Sequence, residues 1–143
     1  MTGIGDRPRR RLLRWIGWFG ALNGGLFMLV ALRYLWIYDF PPDWLGSLYV
    51  GLAFVGQFAA LACVPMFAVL GPLAIIAPSR RLIVSLGVLF MAVGLSLLSV
   101  DTNVFAEHRF HLSWLTAGLF DTTTWVFTGV LLVIFAAFEA MLA

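Results

Sequence analysis

The stretch WIGWFGALNGGLFMLVALRYLWIY, residues 15–38, carries a single charge, Arg33. As a helix rising ~1.5 Å per residue it reaches about 36 Å, enough to cross the ~30 Å of hydrocarbon in a bilayer. An ionisable group in that medium costs several kcal/mol unless it snorkels to the headgroups or finds a partner. The stretch therefore reads as a membrane span that needs a second element to receive its guanidinium.

Three further apolar segments follow, at residues 44–77, 82–100 and 123–143. Each reaches or approaches the ~20 residues of a spanning helix. In lipid the backbone has to satisfy its own hydrogen bonds, so segments of this length are helical. The expected fold is an all-α integral membrane protein with four transmembrane helices. The second segment is overlong and contains Pro65 and Gly71-Pro72. Proline removes a backbone donor and clashes with the preceding turn. A kinked helix is expected there, or a span ending near Val69 with a short interfacial helix.

Composition agrees. The chain is 62% hydrophobic and 11% charged, with a mean hydropathy of +0.99, far from the polar surface a water-soluble domain requires. Cys63 is the sole cysteine, which excludes an intrachain disulfide and a thiolate metal cluster; in an apolar run it reads as a packing residue. The basic head before residue 15 superficially resembles a signal peptide. The apolar run behind it is too long, however, and has no convincing small-x-small cleavage site.

Arginine placement sets the expected orientation. Arg7, Arg9, Arg10, Arg11 and Arg14 precede span one, and Arg80 and Arg81 fill the turn between spans two and three. The opposite loops, 39–43 and 101–122, carry only Arg109. The positive-inside rule then places residues 1–14 and both termini in the cytoplasm, and loop 101–122 in the periplasm of a Gram-negative cell. The same arginines would attract anionic lipid, at about 1 kcal/mol each. Trp15, Trp18, Tyr34, Trp36, Tyr38, Trp44, Tyr49, Trp114 and Trp125 fall near the boundaries, as an interfacial aromatic belt should.

Function has to be sought in the few polar side chains of the spans. Depth matches Arg33 with Asp101 across spans one and three, or with Asp39; the alternative is that Arg33 snorkels to the outer headgroups. Asn23 and Gln57 lie near mid-membrane and read first as interhelical glue. Glu139 lies toward the inner end of span four, facing the headgroups or a neighbouring helix. Gly20-x-x-x-Gly24 and Ala21-x-x-x-Gly25 offer close-packing faces; Gly56 with Ala60, and Gly87 with Gly94, repeat the pattern. Glu107-His108-x-x-His111 has a metal-ligand spacing that chance also produces, and no metal or cofactor is expected. A short amphipathic segment is expected near residues 110–119. No phosphate loop, nucleophile elbow or close carboxylate pair is present, so the chain is read as non-enzymatic. Beside a membrane span, the basic head is a topology signal rather than a nucleic-acid patch.

Trp18-Phe19, Asn23, Arg33-Tyr34-Leu35, Asp39-Phe40-Pro41, Pro72-Leu73, Arg81-Leu82, Asp101-x-x-Val104-Phe105 and His111-Leu112 form an ordered set. It resembles the N-terminal membrane domain of the YejM (PbgA, LapC) family over residues 14–113, and more weakly through span four, including Glu139. The resemblance implies five membrane helices followed by a periplasmic sulfatase-like domain. It also implies lipopolysaccharide sensing, restraint of a LapB-like membrane adaptor, and contact with lipids, cardiolipin among them. Residues 1–143 would supply four of those helices, as a fragment, an isolated domain or a truncated product. Gln57 stands where the pattern has histidine, and Ser113 where it has asparagine, so no lipid A site is carried over. Two other readings are a small four-helix transporter working through Glu139, and a passive anchor for a periplasmic domain.

Overall fold

The computed structural model describes residues 6–37, 40–112 and 122–143. Among them are helices and connecting turns, and no strand. The helices are α1 (Asp6–Leu35), α2 (Trp44–Pro65), a π-helical segment (Met66–Leu70), α3 (Gly71–Ile76), α4 (Arg80–His108) and α5 (Thr122–Leu142). Among the described residues, four helical stretches are long and apolar enough to span a membrane, the second running from Trp44 to Ile76 through the π segment and α3.

Helix α1 starts within the basic head rather than at Trp15, and it ends at Leu35. Arginine is a good helix former and can carry its charge out of lipid on a long stem, so the charges do not break the helix. Arg9, Arg10, Arg11 and Arg14 are all exposed, as are Arg80 and Arg81.

The overlong second segment stays helical throughout. Pro65 and Pro72 would each clash with the carbonyl four residues earlier in a regular α-helix. The chain inserts a π turn between them: the Gly71 N–H donates to the Met66 carbonyl, five residues back. Such turns locally wind the helix wider at a disrupted ladder.

Helix α2 begins on Asp43, whose carboxylate accepts from the Gly46 N–H at 2.6 Å, an N-cap that satisfies an orphan donor of the first turn. Helix α4 continues eight residues past Val100. Thr102 and Asn103 hydrogen-bond back to the Ser99 carbonyl at 2.9 Å, so polar side chains are absorbed without ending it. Arg109 closes α4 in the left-handed region, φ 61° and ψ 22°, with its N–H on the Phe105 carbonyl at 3.0 Å. The expected amphipathic segment, apart from Phe110 to Leu112, lies outside the described residues.

Helix α1 is central, packing on both α2 and α4, while α5 leans on α4. Gly20 and Gly24 are buried and face α2 and the π segment behind it: a Cβ on Gly20 would stand 3.8 Å from Met66 and 3.9 Å from the Cys63 Sγ, and one on Gly24 4.0 Å from the Ala59 Cα. Ala21 and Gly25 are exposed on the other side of α1. On α4, Gly87 receives the Trp15 ring and Gly94 the Phe27 ring. A Cβ there would meet them at 2.9 and 2.6 Å. The core is Ile16, Phe19, Phe27, Ala31, Met66, Leu70, Ile83, Met91 and Leu95, all nearly or fully enclosed.

Candidate functional site: two polar clusters in an apolar bundle

The 22 residues from Arg80 to Asp101 span about 32 Å of α4, the thickness of a hydrocarbon core. One polar cluster sits at the Asp101 end. The Asp101 carboxylate accepts from the Tyr34 hydroxyl and the Leu112 backbone N–H, and His111 Nδ1 lies 2.8 Å from Oδ2. The Tyr34 ring is packed edge-on to Phe105 at 5.4 Å, and the His111 ring stacks on Phe105 at 4.6 Å. The carboxylate is therefore held by three donors at the junction of α1, α4 and the chain that leaves α4.

The Arg33–Asp101 ion pair expected from depth is not formed. Arg33 Nη1 donates to the Asn103 amide oxygen instead, in an exposed contact. Arg33 and Tyr34 are neighbours on α1, so their side chains diverge by about 100°. Tyr34 faces α4 and takes the carboxylate, and Arg33 is turned outward to the next polar group. The alternative partner Asp39 lies outside the described residues. Arg109 adds a second tie, donating to the Ile37 carbonyl at 3.1 Å. His108 lies edge-on to Phe110 and 3.9 Å from Glu107. Thus the two histidines of the metal-like spacing have different partners. Among the described residues, no group of three His, Cys, Asp or Glu side chains is placed to share a metal.

The second cluster is deeper and nearer the Arg80 end. Asn23 and Glu139 are both completely buried. Asn23 Nδ2 donates to Glu139 Oε2 at 3.0 Å and to the Phe19 carbonyl at 3.1 Å. Asn23 Oδ1 and Glu139 Oε1 are buried without a protein partner. Two turns away, Trp15 Nε1 donates to the Ala143 carbonyl at 3.1 Å. Glu139 is the one buried residue among those described in α5, so this bond supplies the polar registration of an otherwise lipid-facing helix. The sequence reading placed Asn23 and Glu139 separately and missed their pairing. The available signal was that Asn23 is the one amide in the first apolar run and Glu139 the one charge in the fourth.

Gln57 is neither glue nor buried. It is exposed in a groove of about 690 Å³ between α2 and α4, which Phe27, Tyr34, Asp101 and His111 also line. Glu139 does not line this groove.

Comparison with known proteins follows this geometry. The family model described as "Domain of unknown function (DUF3413)" matches residues 6–143. The chain belongs to this family, the N-terminal domain family of YejM. The inner membrane protein YejM of Salmonella typhimurium is 33% identical over 103 residues, and that of Salmonella typhi has the same identity over the same length. An uncharacterized protein of Haemophilus influenzae is 31% identical over 103 residues. Each alignment covers 72% of this chain and 18% of the relative, so the chain spans under a fifth of the length of its relatives. The four apolar helices and the relatives' name agree on a multi-pass inner membrane protein. Similarity to a membrane region that is not a catalytic domain fits a non-enzyme.

Proposed function

We propose that this domain is the membrane part of a regulator of lipopolysaccharide assembly, acting without catalysis through helix–helix contact with a single-span, LapB-like adaptor. The family match carries this reading. The geometry supports it: both polar clusters are spent on holding helices together, which leaves a rigid apolar surface for a partner. The open Ala21/Gly25 face of α1, with Trp18, Leu22 and Leu29 exposed beside it, is the docking surface in this proposal. Small residues there admit a foreign backbone closely. The Gly20/Gly24 face serves α2 within the chain and is not available.

In the same reading the arginine-rich end faces the cytoplasm, and Arg9, Arg10, Arg11, Arg14, Arg80 and Arg81 draw anionic lipid such as cardiolipin. Co-purification of the full chain with the adaptor from membranes tests the proposal. Ala21→Leu with Gly25→Leu should abolish capture, while the helix content of the chain is unchanged. Undiminished capture would reject this docking face, and absence of any capture by the unmodified chain would reject the adaptor. A thiol introduced at Ser79 tests orientation: it should resist reagents confined to the periplasmic side. Transport through Glu139 is disfavoured by its complete enclosure in a helix contact away from the groove. A passive anchor would be replaceable by unrelated spans with no change in lipopolysaccharide level.

A further inference from the structure

The hydrogen-bond count at the Asn23–Glu139 contact does not close. Both amide hydrogens of Asn23 are spent, one on Glu139 Oε2 at 3.0 Å and one on the Phe19 carbonyl at 3.1 Å. Two acceptors remain, Asn23 Oδ1 and Glu139 Oε1, each buried without a protein partner. Neither residue has any exposed surface. Buried polar atoms in folded proteins are paired, so what this contact needs is a donor. One donor placed between the two oxygens serves both.

The charge count fails in the same place. A carboxylate enclosed in an apolar bundle requires a cation or several strong donors, and without them it takes up a proton. The donor that Glu139 receives is a neutral amide. On α1 the nearest charges are Arg14 and Arg33, nine and ten residues from Asn23, or about 14 and 15 Å along the helix, and both are exposed. Helix α4, on which α5 leans, carries no charge between Arg81 and Asp101. Asp101 is itself an acid, committed to Tyr34, His111 and Leu112. Cys63 of α2 lies against Gly20 on the α2 side of α1 and supplies no cation. The described part of α5 holds no other ionisable side chain.

We propose that this contact is a proton site: Glu139 is held as the neutral acid, its Oε1 hydroxyl donates to Asn23 Oδ1, and the proton is what seats α5 on α1. A carboxylic acid and a primary amide are complementary, each turning one donor and one acceptor to the other. The acid keeps its carbonyl oxygen on the Asn23 N–H and returns a hydrogen bond from its hydroxyl, so one hydrogen atom pairs both orphan oxygens. Removing that proton leaves an uncompensated charge between α1 and α5, which drives the helices apart. Glu139 is enclosed and does not line the groove, so the proton is held rather than passed on. The inference concerns the α1–α5 contact alone and stands whether or not the adaptor reading holds.

The test is infrared difference spectroscopy of the full chain in phospholipid vesicles at neutral pH, original against Glu139→Gln. The original should show the carbonyl band of a carboxylic acid, shifted in heavy water, that the Gln variant lacks. Asp101→Asn should keep the band, and Asn23→Ala should move it to higher frequency as both hydrogen bonds are lost. Circular dichroism of each variant confirms that the helices are retained. A second readout follows α5 itself, with spin labels at Leu22→Cys and Val133→Cys, both exposed positions, in the Cys63→Ser chain. As the pH is raised until the acid band disappears, the distance between labels should lengthen in the original and stay fixed with Glu139→Gln. If the substitution removes carboxylate bands instead of an acid band, the proposal is overturned. A band indifferent to Asn23→Ala, or labels that keep their distance as the band vanishes, would overturn it as well.

Discussion

Replacing Glu139 by alanine removes the side-chain bond from Asn23 that, among the described residues, joins α5 to α1. The lost hydrogen bond is worth ~0.6–2 kcal/mol in a membrane protein. Asn23 Nδ2 keeps the Phe19 carbonyl, so the stranded-donor penalty stays near the low end of ~1–3 kcal/mol. The void left by a fully enclosed side chain costs further dispersion contacts. The sum is about 2–4 kcal/mol, read as the shift in midpoint when the purified chain is unfolded by SDS in mixed micelles and followed by helix content. Glu139→Gln preserves shape and the acceptor for Asn23, and it adds a donor for the bare Asn23 Oδ1. Its cost should stay below about 1 kcal/mol. Asn23→Ala combined with Glu139→Ala completes a double-mutant cycle with a coupling of about 1–2 kcal/mol, as expected for residues in contact. An alanine variant within about 0.5 kcal/mol of the original, or a coupling near zero, would show that the buried pair does not hold α5.

The Asp101 cluster gives a second contrast in the same assay. Asp101→Ala strips the acceptor from Tyr34, His111 and Leu112 and should cost about 2–4 kcal/mol. Arg33→Gln, which touches only an exposed contact to Asn103, should cost under about 1 kcal/mol; equal costs would restore Arg33 as the main tie. Gly94→Ala places a Cβ 2.6 Å from the Phe27 ring and should destabilise by about 1–3 kcal/mol, with most of the loss recovered in the Phe27→Leu background. Arg109→Gly relieves a left-handed residue while losing a bond to Ile37, so stability should change by less than about 1 kcal/mol. Arg109→Ala keeps the strain, loses the same bond, and should be clearly worse by melting in detergent.

The four spans were legible because a run of ~20 apolar residues has one outcome in lipid. Their ends were not. Hydropathy falls at Arg14 and at Asp101, yet α1 begins at Asp6 and α4 runs to His108. Backbone hydrogen bonding is indifferent to a side chain that snorkels or bonds back to the preceding turn. The pairing at the Asp101 end shows a second limit. Counting residues gives depth, and depth correctly grouped Arg33 with Asp101. Rotation about the helix axis decides which neighbour faces inward, and one residue of difference handed the carboxylate to Tyr34. Asn23 and Glu139 were not paired by depth: from the Trp15–Ala143 bond Asn23 lies about 12 Å along α1 and Glu139 about 6 Å along α5, and the two side chains bridge the difference. Register between helices far apart in sequence is a tertiary fact.

Polar contacts are distributed unevenly over the bundle, and that distribution orders its helices by stiffness. Tyr34–Asp101, Arg33–Asn103 and the Arg109–Ile37 carbonyl bond fasten α1 to α4 at one end. Asn23–Glu139 and the bond from Trp15 to Ala143 fasten α1 to α5 and its end toward the other. Among the described residues, no side-chain hydrogen bond joins α2 to another helix; its contact with α1 is the close approach at Gly20 and Gly24 and the packing of Phe58 and Met66. In lipid such contact has little hydrophobic drive behind it, because the tails are as apolar as the side chains they replace. Helices α1, α4 and α5 thus form the cross-tied frame, and α2, open along its outer face, is the element whose position a second helix in the membrane can most readily set.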